Sequence, residues 1–84
     1  MEILAILVTI FGIIGGVATL PQAIKIFKNK HARDVSITTY MVMITATFFW
    51  LLYGISINNF PLIIANSFGL FSVVLVIIGW VVYH

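Results

Sequence analysis

Two long stretches of this chain carry no charge: none falls between Ile3 and Ile24, and none between Val35 and Tyr83. Lys25, Lys28, Lys30, His31, Arg33 and Asp34 lie between them as one compact polar break. A helix that crosses a bilayer needs about 20 apolar residues. The first stretch is therefore one span, and the second, too long for one helix, is two spans joined by a turn. Asn58-Asn59-Phe60-Pro61 supplies that turn, because asparagines favour turns and Pro61 suits the first turn of a new helix. The reading is a helix over 3–27, a loop over 28–36, a helix over 37–57, a turn at 58–60 and a helix over 61–83. Ser36 is placed to cap the second helix, with Asp34 near its positive end.

Composition agrees. Of 84 residues, 63% are hydrophobic and 7% charged, whereas soluble domains are about 25% charged. An ordinary soluble domain is excluded, and the length admits three spans but not four. The first span does not read as a cleaved signal peptide, since Glu2 stands where Lys or Arg is expected and its apolar run exceeds the usual length. With no cysteine, disulfides and thiolate sites are excluded.

A pI near 9.3 would suggest nucleic acid in a soluble chain, but here the four Lys and Arg residues all sit in one segment. That bias reports membrane orientation instead of a nucleic-acid partner. The 28–36 loop is expected in the cytoplasm, with the N-terminus and the 58–60 turn outside and the C-terminus inside. With one fixed orientation, any dimer is expected to be parallel.

Three helices leave no room for a solute path between them, and no internal repeat is visible. Transporters are often built from repeats that bind substrate near the midplane. If this chain moves a solute, the second repeat must be a second copy of itself, giving six helices around a cavity.

A few residues are unusual for lipid. Pro21, flanked by helical sequence, should kink the first helix, and Gln22 sets an amide beside it. Gly12, Gly15 and Gly16 permit close helix approach. Trp80 suits an interfacial belt, but Trp50 lies about 11 Å inside the outer end of its helix. Met43, Trp50 and Tyr53 share a face there. Asn66 lies about 7.5 Å below the outer end of the third helix, within roughly 4 Å of Trp50 in depth. An amide at that depth is expected to face a cavity or another helix; Ser67 and Ser72 can bond back to their own helix.

The two uncharged stretches hold no carboxylate relay and no fixed charge for an ionic substrate. The sequence shows no metal cluster, nucleophile–base pair or phosphate loop, so no cofactor and no enzyme activity are expected. An aromatic face beside an amide, duplicated across a dimer, suits a neutral polyhydroxyl solute moved downhill.

Thr19-Leu20-Pro21-Gln22 resembles the Pro-Gln signature of PQ-loop transporters. Together with three spans, the loop ending Asp34-Val35-Ser36, Trp50 and Asn66, the chain resembles the bacterial SemiSWEET sugar transporters over essentially its whole length. The resemblance implies an all-α membrane protein of the bacterial inner membrane, with the third helix packed between the first and second in a parallel homodimer. It implies facilitative transport of a mono- or disaccharide by alternating access, with Trp50 and Asn66 contacting sugar. Pro21 and Gln22 would form a hinge and Tyr53 an outer gate; Met43 joins an inner constriction by its position. Ile57 and Asn59 stand where some relatives carry an ionic outer lock. Two alternatives remain: a PQ-loop amino-acid carrier, which should have an intramembrane acid, and a small structural subunit of a membrane complex.

Overall fold

A computed structural model describes residues 2–84. Four helices follow in order: α1 (Glu2–Gly16), α2 (Leu20–Asn29), α3 (Ile37–Ser56) and α4 (Phe60–Tyr83). α1 and α2 together form one 28-residue stretch, and this stretch, α3 and α4 are each long and apolar enough to cross a membrane. The Cα trace extends 44 × 21 × 14 Å, and its long axis matches the ~40–45 Å of a bilayer with its headgroups.

The first span covers Glu2–Asn29, against the 3–27 expected, and the disturbance expected from Pro21 falls at 17–19. The span breaks there into two helices around a turn, and its second half continues to Asn29. Pro21 explains the position of the break. Proline has no N–H and its ring crowds the carbonyl four residues back, which is that of Val17. That carbonyl accepts instead from Leu20 N, at 3.0 Å. The disturbance thus falls one turn ahead of the proline, which itself sits in the first turn of α2.

Local signals set the other boundaries. The Ser36 side chain accepts from Thr39 N at 3.4 Å, capping α3. The Asn59 side chain accepts from Leu62 N at 3.3 Å, capping α4. α2 closes on Lys30 in the left-handed region (φ 58°), whose N–H bonds to Ile26 O at 2.8 Å. Asn58 takes the same conformation (φ 53°) in the turn before α4, where asparagine is well tolerated.

α4 is the central element. It packs against α1, α2 and α3, whereas the first span and α3 do not meet. The third span therefore lies between the other two, in a unit whose Cα trace measures 21 Å by 14 Å across. Small residues allow the close approach. A Cβ at Gly16 would stand 2.8 Å from Ala65 O and 2.9 Å from Gly69 N, and one at Gly79 would stand 2.8 Å from Ile26 Cγ2.

Burial is uneven along the unit. Ala23, Ile26, Ala32 and Val76 form the core cluster, flanked by Tyr40, Leu75, Trp80 and Tyr83. Ser72, Val73 and Gly79 are also buried. All lie toward the end that carries the 30–36 loop, and Ala23 and Ile26, three residues apart, give α2 one inward face. Toward the 57–59 turn the packing is open: α1 has no buried residue, and Phe11 and Phe60 are 66% and 71% exposed.

Candidate functional site

The unit leaves a groove between the first span and α3, floored by α4. A cavity of about 210 Å³ occupies it, walled by Gly12, Gly15, Gly16 and Thr19 on one side and Met43 and Thr47 on the other. Ala65, Asn66, Gly69 and Val73 form its floor. The glycines leave space that side chains would otherwise fill.

Asn66 is half-buried and brings the amide expected from the sequence to this floor. Its Nδ2 donates to Leu62 O, one turn back, at 2.9 Å. This bond orients the group and leaves Oδ1 without a partner among the described residues. A carboxamide carbonyl in that state accepts hydrogen bonds. Met43 borders the same cavity, and Thr47 stands one turn further on with its hydroxyl donating to Met43 O at 2.7 Å.

Trp50 is not in this cavity within the single chain. It lines a separate shallow depression with Ala46, Phe49 and Tyr53, and its side chain is 54% exposed. Seven residues after Met43, it lies about 20° from the same azimuth of α3. The indole therefore lies near the Met43 side of α3 and is left open by the chain itself. Its ring meets that of Tyr53 edge to face, with centroids 5.9 Å apart and an interplanar angle of 84°.

Pro21 and Gln22 lie beyond the cavity in the first turn of α2. Gln22 faces a narrow crevice at the loop end with Lys25, His31 and Asp34, so it is set apart from Asn66. Ser67 and Ser72 donate to Ile63 O and Phe68 O at 2.6 and 2.9 Å, consuming their hydroxyls within α4.

Sequence reasoning missed Thr19 and Thr47 as cavity residues and read Gly12, Gly15 and Gly16 only as packing residues. The missed signal lies in spacing. Thr47 follows Met43 by one turn on the same face of α3, whereas the break at 17–19 interrupts the register that would have tied Thr19 to Gly12 and Gly16. Among the described residues no group of three or more His, Cys, Asp or Glu could hold a metal.

The structure is thus a three-span membrane unit with a polar groove between its first span and α3. Residues 2–84 match the model of the family described as sugar efflux transporters for intercellular exchange. The chain belongs to that family, which is a transporter family and not an enzyme family. A sugar transporter SemiSWEET of Bradyrhizobium diazoefficiens is 41% identical over 51 residues, 61% of this chain and 59% of that protein. The aligned part thus spans less than two thirds of that relative's length. Another sugar transporter SemiSWEET, from Leptospira biflexa, is 33% identical over 61 residues, 73% of this chain and 72% of that protein. The crystal structure of a bacterial homologue of SWEET transporters superposes with a TM-score of 0.90 at 35% identity, covering 98% of this chain and 99% of that one.

Proposed function

We propose that two parallel copies of this chain enclose a sugar path and move a mono- or disaccharide downhill by alternating access. The observation that carries this reading is the groove between the first span and α3, with Asn66 on the floor of a cavity the chain alone leaves open. Two such grooves face to face make a closed chamber. The amide of Asn66 then meets sugar hydroxyls, and the exposed Trp50 offers an aromatic face to a sugar ring from the chamber wall. Membership of a sugar efflux transporter family supports the solute class.

Movement is assigned to the first span. The turn at 17–19 has lost the regular i→i−4 ladder, so α1 and α2 can change their angle without disrupting either helix. Pro21 keeps that ladder from closing and serves as the hinge, with Gln22 beside it. Tyr53 and Met43 stand on opposite sides of the Trp50 level and form the outer and inner constrictions. Uniport follows from chemistry: no Asp, Glu, His, Lys or Arg lies between Ile3 and Ile24 or between Val35 and Tyr83 to carry a coupled proton.

The test is counterflow in proteoliposomes with labelled sugars and one labelled amino acid. Exchange of sugar but not amino acid is expected. Failure to exchange any sugar, or isolation of a strictly monomeric protein, overturns the reading.

A further inference from the structure

Most serine and threonine hydroxyls within these helices bond back to a carbonyl of their own helix, Ser56 to Tyr53 O among them, whereas Thr19, in the turn between α1 and α2, does not. Thr9, Thr45, Thr47, Ser67 and Ser72 each donate to the carbonyl four residues back, at 2.6–2.9 Å. Oγ1 of Thr19 is buried and has no hydrogen-bond partner among the described residues.

The break in the first span explains the exception. Thr19 lies in the turn at 17–19, and the carbonyl four residues before it, that of Gly15, accepts from Ala18 N at 3.2 Å. Nor does the Thr19 side chain cap α2. Its backbone is helical (φ −86°, ψ −8°) and its side chain makes no cap hydrogen bond, whereas a capping residue normally holds an extended backbone. A buried hydroxyl left in this state is unfavourable and is kept where something else uses it. Thr19 also walls the cavity whose floor is Asn66. Threonine holds two χ1 rotamers readily, so a turn of about 120° about χ1 can carry the hydroxyl to another staggered position without disturbing the backbone.

We infer that Thr19 is a specificity-determining contact of the transported solute, its hydroxyl freed by the helix break to bond one sugar hydroxyl opposite Asn66. The inference rests on the sugar-transport reading above and adds to it a residue on the mobile span. A solute bonded to both Thr19 and Asn66 ties the first span to α4, so its binding bears directly on the angle of the break.

The experiment compares wild type, Thr19→Val and Thr19→Ser in counterflow with labelled glucose, labelled sucrose and monodeoxy analogues of each as competitors. Valine keeps the shape and removes the hydroxyl; serine keeps the hydroxyl. Thr19→Val is expected to raise the KM for the transported sugar about ten-fold, the loss of one good hydrogen bond, and Thr19→Ser to stay near wild type. Wild type is expected to reject one monodeoxy analogue that Thr19→Val no longer distinguishes from its parent. Without sugar, Thr19→Val should unfold in detergent no earlier than wild type, with a smaller rise in Tm on adding sugar. An unchanged KM and unchanged ranking of the analogues in Thr19→Val overturns the inference, as does a lowered Tm without sugar accompanied by normal analogue discrimination. If wild type exchanges neither sugar, the transport reading falls first, an outcome distinct from both.

Discussion

The Trp50 and Tyr53 rings meet edge to face, 5.9 Å between centroids and 84° between planes, yet each side chain stays more than half exposed. Edge-to-face pairs of this geometry are favourable, and this one lies on α3 where the chain by itself leaves both rings open. Trp50→Ala and Asn66→Ala are each expected to abolish sugar exchange, while size-exclusion chromatography in detergent still shows a dimer. Normal exchange in both variants would sink the site assignment.

Pro21 prevents the ladder from closing across 17–19. Pro21→Ala restores an N–H that Val17 O can accept, favouring one continuous helix and one access state. Turnover in counterflow is expected to fall at least several-fold, with equilibrium sugar binding changed much less. Wild-type turnover with equal binding would refute the hinge.

Gly15 and Gly16 adjoin in sequence but differ in surroundings. A Cβ at Gly15 meets nothing within 4 Å, whereas one at Gly16 falls within 3 Å of backbone atoms of Ala65 and Gly69. Gly16→Ala should destabilise the fold by about 1–3 kcal/mol through overpacking. Gly15→Ala should be neutral, or stabilise by up to ~1 kcal/mol through helix propensity. Thermal unfolding followed by circular dichroism in one detergent separates the two.

The chain has no cysteine, so single cysteines report orientation cleanly. In intact cells Asn58→Cys is expected to react with a membrane-impermeant maleimide, and Lys30→Cys only after lysis. The reverse pattern would invert the topology drawn from the basic loop.

Imposing a proton gradient across proteoliposomes is expected to leave the steady sugar distribution unchanged. Accumulation driven by the gradient would refute uniport and direct attention to a group outside the two uncharged stretches.

Much of the fold was legible because hydrophobic length and polar punctuation are local signals. Ser36 and Asn59 announce helix starts through side chains that need no tertiary partner, and the uncharged runs force the spans. The form of the break in the first span was less visible. Pro21 marks a disturbance, but which carbonyl gives way, and that the ladder breaks at 17–19, depends on how α1 and α2 each seat on α4. Met43 and Asn66 were legible as inward-facing by spacing and polarity. Thr19 was not, because a threonine in an apolar helix ordinarily satisfies itself on its own backbone; only the lost partner reveals it. Trp50 shows a different limit. Helical spacing places it in line with Met43, while the fold of this chain leaves it in a separate depression with Phe49 and Tyr53.

The buried side chains gather at the loop end, around Ile26 and Val76, while α1 buries nothing. This division implies an order of biogenesis. In the proposed pair, the loop end consolidates within one chain after insertion, while α1, seated on α4 through its glycines, gains its further neighbours only from the second copy. Defects introduced near Ile26 should then be insensitive to how much protein the membrane holds. Defects introduced along α1 should fade as expression rises, because mass action restores a weakened encounter but not a broken core.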